Sequence, residues 1–271
     1  MQGKERRGRI TVPELRARKA QKEKIVMVTA YDYPSALLAE RAEVDVVLVG
    51  DSVGMTVLGF SDVLPVTLEM MLHHVQAVRR GLHRALLLAD MPFGSYQIGE
   101  EEAMRSAIRL LKEGGAQAVK LEGGTLVAGL VKKLTGAGIP VMGHIGLTPQ
   151  SVHLLGGHRL QGREPEAPER MVADAKALEE AGAFGVVLEM IPADLAARIT
   201  ESISIPTIGI GAGPACDGQV LVWHDLLAIP PGRPFHHVKQ YAQIGEQIES
   251  ALRSYAEEVR KGIFPSKEQS L

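Results

Sequence analysis

The chain has 271 residues, of which 45% are hydrophobic, so it can bury a full core and reaches the size of about 250 residues typical of an α/β barrel. Its formal net charge of −2 gives no electrostatic reason to expect a nucleic acid or a membrane surface as a partner. The single cysteine, Cys216, excludes an intrachain disulfide. The charged start lacks the apolar segment of a secretory signal, and no apolar run reaches the ~20 residues of a membrane span. These three features predict a cytoplasmic protein.

The sequence opens with a helix signal and then alternates short apolar runs with segments of helical period. Thr11, Pro13 and Glu14 have the spacing of a capping box with proline in the first turn, which predicts a short N-terminal helix. Apolar runs of this kind are typical of strands buried on both faces. The runs are Ile25–Thr29, Asp45–Val49, Ala85–Ala89, Ala118–Leu121, Pro140–Gly143, Gly185–Leu188, Pro206–Gly209 and Val220–Val222. The helical segments are 34–42, 67–80, 100–113, 124–135, 167–181, 193–202 and 241–261.

Eight strands in βα alternation predict a closed (βα)8 TIM barrel, with one domain over 1–271 and the barrel over about 24–262. A doubly wound open sheet shows the same alternation, and the seventh and eighth strands are too close in sequence for a full crossover helix between them. The glycine-rich run 209–213 after strand seven is either a phosphate-binding loop or a tight turn. The long irregular stretch 145–165 is interpreted as a lid.

Several predicted strands end in polar residues, at the end of a barrel where active sites lie. Lys120 and Glu122 are two apart on one strand, so their side chains face the same side. The full set is Asp51 and Ser52 after the second run, Asp90 after the third, Lys120 and Glu122 at the fourth, His144 after the fifth and Glu189 after the sixth.

Each of these residues also has a structural explanation. An aspartate after a strand is commonly a helix N-cap, His144 could be a satisfied buried histidine, and Lys120 and Glu122 could form an ion pair. As a cluster, however, the carboxylates repel one another unless a cation is present. Oxygen ligands without a cysteine cluster favour Mg²⁺ over zinc.

Six long blocks in this order resemble the ketopantoate hydroxymethyltransferase family over nearly the whole chain. The blocks are VGDSVGMTVLGF (49–60), LLADMPFGSYQ (87–97), AVKLEGG (118–124), GHIGLTPQS (143–151), VLEMIP (187–192) and IGIGAGPACDGQVLV (208–222). The resemblance implies a barrel of the phosphoenolpyruvate/pyruvate type. It also implies transfer of a one-carbon unit from 5,10-methylenetetrahydrofolate to 3-methyl-2-oxobutanoate, giving 2-dehydropantoate in pantothenate biosynthesis through a Mg-stabilised enolate.

The resemblance also implies roles for the residues at the strand ends. By the matched blocks, Asp51 and Asp90 are expected to bind Mg²⁺ directly and Glu122 to complete the metal site through water, with Glu189 as the catalytic base. The residues expected at the substrate are Asp51, Ser52, Asp90, Lys120 and His144. A homo-oligomer, often a decamer, is implied in the same way.

Two other functions fit parts of the sequence. A carbon–carbon lyase or phosphonomutase of the same superfamily uses a loop cysteine as general acid, but Cys216 comes too late in the chain for that loop. A non-catalytic barrel that senses a 2-oxo acid or folate would have little need of a base such as Glu189. Separately, the absence of asparagine fits either a thermophilic source or a genomic composition bias.

Overall fold

The computed structural model describes residues 8–232 and 234–270, and the chain divides into two compact units, Met1–Leu221 and Val222–Leu271. Residues 1–7, which hold most of the charged start, lie outside the described residues. In the described part of the chain, no helix is long and apolar enough to cross a membrane. All eight strands belong to the first unit, and the assignment of residues 1–271 to one domain stays a prediction.

The first unit contains a closed parallel barrel in which neighbouring strands follow the order of the chain, β1 to β8. The predicted TIM barrel is therefore confirmed, and the open sheet is excluded. The strands are β1 (Ile25–Thr29), β2 (Val46–Val49), β3 (Leu86–Asp90), β4 (Ala118–Glu122), β5 (Val141–Gly146), β6 (Gly185–Glu189), β7 (Thr207–Ile210) and β8 (Gly218–Leu221).

Of the nine helices described in the first unit, all except the short α3 and α7 agree with the predicted helical segments, and α1 is the predicted N-terminal helix. They are α1 (Val12–Gln21), α2 (Tyr33–Arg41), α3 (Val53–Thr56), α4 (Leu68–Gly81), α5 (Glu100–Lys112), α6 (Ala128–Gly136), α7 (Val152–Leu155), α8 (Ala167–Glu180) and α9 (Ala193–Ser202). Short 3-10 helices lie at Thr125–Val127 and Pro149–Ser151. The stretch 145–165 is thus less irregular than expected, because it contains the end of β5, a 3-10 turn and α7. Its role as a lid stays a prediction.

The connection between β7 and β8 contains no helix among the described residues, as its length predicts. A side chain at Gly213 would place its Cβ 2.5 Å from the Cβ of Ala193, and Gly213 has a φ of +78°. This close approach and positive φ support the tight-turn interpretation of the glycine-rich run.

The inward face of each strand changes from apolar to polar along the barrel axis. Alternate residues point inward, so on β4 Ala118 belongs to the buried apolar cluster while Lys120 and Glu122 follow on the same face. The same change occurs on β3 between Leu88 and Asp90. The apolar cluster therefore forms the floor beneath the polar strand ends.

Helix α1 lies over the opposite end of the barrel. Leu15 is buried in the same apolar cluster as the inward residues of the strands. The ammonium group of Lys19 donates to the carbonyl oxygens of Thr200 at 2.7 Å and Ile205 at 3.0 Å, and forms an ion pair with Asp217 at 3.0 Å. Because Ile205 lies two residues before β7 and Asp217 one residue before β8, this lysine joins the helix to the N-terminal ends of both strands.

The second unit consists of helices α10 (Trp223–Leu227) and α11 (Ile244–Arg260) and a 3-10 helix at Lys267–Gln269. Of the residues of α11, only Gly245 is buried. The helix exposes an apolar row with spacings of four and three residues, formed by Ile248, Leu252, Tyr255 and Val259.

The contacts of Lys19 predict a measurable loss of stability. Replacement by methionine, Lys19→Met, keeps the aliphatic stem but removes the ammonium group from two carbonyl oxygens and from Asp217, whose Oδ2 keeps its bonds from Thr207. We expect the free energy of unfolding, measured by chemical denaturation, to fall by about 2 kcal/mol. Arg16→Met on the exposed side of the same helix is the control and should change it by less than about 0.5 kcal/mol. Equal effects of the two substitutions would contradict this account of α1.

Candidate active site

The structure brings the predicted site residues together at the C-terminal end of the barrel. Asp90, Glu122 and Glu189 are the last residues of β3, β4 and β6. His144 lies within β5, and Asp51 follows β2 by two residues. Asp51, Asp90, Lys120, Glu122 and His144 are buried, whereas Glu189 and Ser52 are partly exposed. The strand ends therefore form a polar mouth above the apolar core.

A row of polar contacts crosses this mouth from β3 to β6. The Nζ atom of Lys120 lies 2.8 Å from Oδ1 of Asp90 and 3.2 Å from Nδ1 of His144. Because the ammonium group can only donate, Nδ1 of His144 accepts and the ring proton belongs on Nε2. Nε2 lies 3.3 Å from Oε2 of Glu189, although it has no well-aligned hydrogen-bond partner among the described residues. Burial, and then the charge of Lys120, lowers the pKa of His144, which keeps its ring neutral at neutral pH.

A second network, which contains Gln150, joins two other carboxylates. The side-chain amide of Gln150 donates to Oδ2 of Asp51 at 2.8 Å, and its backbone N–H donates to Oε2 of Glu122 at 3.0 Å. The hydroxyl of Tyr96 lies 2.7 Å from the amide oxygen of Gln150. The backbone N–H of Asp51 donates to Oδ2 of Asp90 at 3.1 Å, which connects this network to the first row.

The hydroxyl of Ser52 lies beside these carboxylates and has a buried partner. Its Oγ is 2.8 Å from the hydroxyl oxygen of Tyr31. A Cβ at Gly50 would meet Oγ of Ser52 at 2.8 Å and Oδ2 of Asp90 at 3.3 Å. The backbone of Gly50 therefore lies close to both polar atoms, and a side chain at this position would collide with them. Burial raises the pKa of Tyr31 to about 12, so its hydroxyl remains protonated and can donate to Ser52.

The carboxylates outnumber the cations in this mouth. Burial, and next the charge of Asp90, raises the pKa of Asp51 to about 7. Burial and the charge of Asp51 likewise raise the pKa of Glu122. Burial alone would lower the pKa of Lys120, but the carboxylates of Asp90, Glu122 and Asp51 outweigh it and raise the pKa above its usual value. Lys120 is therefore charged, and one ammonium group does not balance the surrounding carboxylates when all of them are ionised.

These residues fit a hard divalent cation. Among the described residues, no three His, Cys, Asp or Glu side chains form a complete metal cluster. Mg²⁺ does not require one, because it is usually held by one or two carboxylates and keeps several waters. Asp51 and Asp90 supply such carboxylates, and the excess negative charge would be relieved by a cation beside them.

Sequence reasoning missed three residues of the mouth: Tyr31, Tyr96 and Gln150. Tyr96 and Gln150 lie within the matched blocks 87–97 and 143–151, but neither follows a predicted strand directly. Their membership of conspicuous blocks was the only available signal. The chemistry of their side chains, an amide and a phenol, does not by itself indicate a site.

Comparison with known proteins decides the family. The family model described as ketopantoate hydroxymethyltransferase matches residues 9–267. The chain belongs to the ketopantoate hydroxymethyltransferase family. Relatives named 3-methyl-2-oxobutanoate hydroxymethyltransferase include one from Carboxydothermus hydrogenoformans, 57% identical over 97% of this chain and 95% of that protein. Another, from Thermus thermophilus, is 55% identical over 97% of this chain and 99% of that protein. The predicted family and the predicted enzyme class, a hydroxymethyltransferase, are confirmed.

Solved structures share the barrel fold. A 2,3-dimethylmalate lyase, described as a member of the PEP mutase/isocitrate lyase superfamily, has a TM-score of 0.61 and 18% identity, covering 96% of this chain and 91% of its own. A phosphonopyruvate hydrolase solved with oxalate and Mg²⁺ has a TM-score of 0.62 and 15% identity, covering 96% of this chain and 90% of its own. At such identities the likeness shows the fold alone. The membership in the hydroxymethyltransferase family argues against the lyase and phosphonomutase alternative.

The raised pKa of Asp51 predicts how stability depends on pH in cation-free protein. Between the ordinary pKa of about 4 and the folded value of about 7, the folded state binds more protons than the unfolded state at this carboxyl. The contribution of Asp51 to stability therefore falls as the pH rises through this window and stays low above it. Asp51→Asn should be more stable than the unsubstituted protein at pH 8, and the difference should shrink as the pH falls from 7 to 4. Chemical denaturation at a series of pH values measures it, and parallel stability curves for the two proteins would contradict the prediction.

Proposed function

We propose that this protein transfers a hydroxymethyl group from 5,10-methylenetetrahydrofolate to 3-methyl-2-oxobutanoate, giving 2-dehydropantoate in pantothenate biosynthesis, with Mg²⁺ as cofactor. The names of the relatives at 53–57% identity support the reaction. The observation that carries the proposal is the contact row Asp90–Lys120–His144–Glu189, which runs from Asp90, a proposed Mg²⁺ ligand, to the partly exposed carboxylate of Glu189 across the mouth.

Asp51 and Asp90 would hold the cation directly, and Glu122 would act through a water molecule. When bound, Mg²⁺ supplies positive charge that polarises the keto group of a 2-oxo acid and stabilises the negative charge of its enolate. Gln150 already engages one oxygen of Asp51 and one of Glu122. The other oxygen of each carboxylate would then be the one that faces the cation or its water.

Lys120 and Ser52 would bind the carboxylate of the oxo acid. Lys120 is fixed between Asp90 and His144, and Ser52 is fixed by Tyr31. A buried ammonium group and a hydroxyl group held in place lose little freedom when they bind an anion, which favours one orientation of the substrate. His144 would contact the substrate from the same side as Lys120.

Glu189 would act as the base that removes the proton from C3 of the oxo acid, the carbon next to the keto group. The electron pair of the broken C–H bond becomes the enolate, whose carbon forms a carbon–carbon bond with the one-carbon unit of the folate. The two C–N bonds between that unit and the folate break, and water supplies the hydroxyl oxygen of the product. The proton from C3 and one proton of the water go to the two folate nitrogens, so that tetrahydrofolate leaves. The backbone of Glu189 is fixed because its carbonyl accepts from the N–H of Leu147 at 2.8 Å, and His144 lies against its carboxylate.

The assignment of Glu189 predicts a selective loss of proton exchange. In D₂O, the protein with Mg²⁺ should exchange the C3 hydrogen of 3-methyl-2-oxobutanoate for deuterium without folate, as monitored by NMR. Glu189→Gln should slow this exchange by roughly 10²–10⁴-fold, because it removes a general base, while binding the oxo acid with near-normal affinity. Glu201→Gln, exposed on α9, is the control and should exchange normally.

Two results would count against Glu189 as the base, and a third would count against the enolisation. Exchange at the normal rate in Glu189→Gln would remove Glu189 as the base. Loss of Mg²⁺ binding together with loss of exchange would make Glu189 a metal ligand instead. Absence of exchange in the unsubstituted protein would contradict the proposed enolisation itself.

We also propose that the protein is a homo-oligomer of the decameric kind that the family resemblance implies, and that it is cytoplasmic. The exposed apolar row of α11 supports the first statement, because a stable amphipathic helix buries such a row against a partner. Leu252→Glu, in the middle of the row, should lower the molar mass in solution measured by light scattering. Ser250→Glu, exposed on the opposite side of the helix, should leave it unchanged. A monomeric unsubstituted protein, or an unchanged mass in Leu252→Glu, would contradict the proposal.

A further inference from the structure

Gln150 occupies an unusual position for a residue outside the barrel strands. It lies in the 3-10 helix Pro149–Ser151 after β5, and yet its side chain is buried among the carboxylates at the ends of β2 and β4. Its amide nitrogen donates to Oδ2 of Asp51 at 2.8 Å and to the carbonyl oxygen of Met91 at 2.9 Å. Both hydrogens of the amide group are thereby used.

The amide oxygen of Gln150 is equally well occupied. It accepts from the hydroxyl of Tyr96 at 2.7 Å and from Nε2 of Gln97 at 3.2 Å. The hydroxyl of Tyr96 in turn accepts from the backbone N–H of Glu122 at 3.2 Å. Its single hydrogen has two acceptors within reach, the amide oxygen of Gln150 at 2.7 Å and the carbonyl oxygen of Glu122 at 3.4 Å, and the much shorter distance favours Gln150. These directions fix the orientation of the amide group, because its nitrogen faces acceptors and its oxygen faces donors.

The contacts of Gln150 reach both carboxylates by independent routes. The side chain holds Asp51, whereas the backbone N–H donates to Oε2 of Glu122 at 3.0 Å. Neutral donors on one oxygen of each carboxylate restrict their rotation without cancelling their charge. A carboxylate free to rotate would have to be ordered when a ligand binds, at a cost in affinity.

We infer that Gln150 is a positioning residue, which sets the orientation of the Asp51 and Glu122 carboxylates, and that Tyr96 holds the Gln150 amide in place for this purpose. The inference rests on the proposed function where it concerns Mg²⁺ affinity. The segment after β5 is then a part of the site, since it supplies the residue that orders carboxylates from two other strands.

The test uses a substitution that separates the two routes. Gln150→Met keeps the length of the side chain and the backbone N–H to Glu122, but it removes the amide bonded to Asp51. Tyr96→Phe keeps the ring and removes the hydroxyl, which contacts both the amide oxygen of Gln150 and the backbone of Glu122. The control is Gln161→Met, the same exchange in the same connection, where the side chain donates only to the carbonyl oxygen of Arg159.

Crystal structures without ligand provide the first measurement, and calorimetric titration of Mg²⁺ in the presence of 3-methyl-2-oxobutanoate provides the second. In Gln150→Met we expect the Asp51 carboxylate to leave its present orientation, and the Mg²⁺ dissociation constant to rise about 10- to 100-fold. Tyr96→Phe should change the Asp51 orientation and the Mg²⁺ dissociation constant in the same direction but by less. Gln161→Met should change neither the orientation nor the dissociation constant. A purely structural role would lower thermal stability without changing the carboxylate or the affinity.

The outcomes separate this inference from the proposed function. An unchanged Asp51 orientation or an unchanged Mg²⁺ affinity in Gln150→Met would overturn the inference. If the unsubstituted protein binds no Mg²⁺, the proposed function fails on its cofactor, and the crystal structures alone decide the positioning role. In that case, a displaced Asp51 carboxylate in Gln150→Met supports the positioning role, and an unchanged carboxylate overturns it.

Discussion

The mutual repulsion of buried carboxylates around a single ammonium group is the constraint that organises this protein. Asp51, Asp90 and Glu122 are buried at the strand ends, and Lys120 is the only buried cationic side chain among the described residues. Loss of solvation on burial is the main cause of the raised pKa values of Asp51 and Glu122, and the repulsion between the like charges, which a low dielectric strengthens, raises them further. Such a cluster is unfavourable in the protein alone and favourable once a cation is bound.

The rest of the barrel keeps this cluster in place. The apolar floor formed by the inward residues below it excludes water from one side, and α1 closes the far end through Leu15 and Lys19. The strand backbones fix the Cα positions of Asp90, Glu122 and Glu189, because each is the last residue of a hydrogen-bonded strand. Rigid elements of this kind can hold charged groups in an arrangement that those groups would not adopt in solution.

The sequence predicted the barrel and most of the mouth because both follow from short-range pattern. Apolar runs end where the inward residues become polar, so the predicted strands stop one residue too early. The structure includes Asp90, Glu122 and Glu189 as the last residues of β3, β4 and β6. The eighth strand was placed at Val220–Val222, but it runs over Gly218–Leu221. Gly218 reads as a breaker in a sequence, whereas here it allows close approach to the carbonyl oxygen of Ile25, which a Cβ would meet at 2.4 Å.

The hydrogen bonds that hold the side chains of the mouth in place could not be predicted from such sequence patterns. Gln150 reaches Asp51 across 99 positions of sequence, and Tyr96 reaches Gln150 across 54. These contacts depend on where a 3-10 turn and a loop place two side chains in the folded barrel, and neither residue type carries a charge that would indicate a role. Tyr31 supports Ser52 in the same indirect way.

The most direct test of this account is the position of a bound divalent cation. Crystals grown with Mn²⁺ and 3-methyl-2-oxobutanoate would be measured for anomalous scattering, which locates the metal without reference to activity. The account predicts one strong peak per chain in the mouth, next to the carboxylates of Asp51 and Asp90. A mouth without a peak at saturating Mn²⁺, or metal bound only elsewhere on the chain, would contradict the claim that a cation balances these carboxylates.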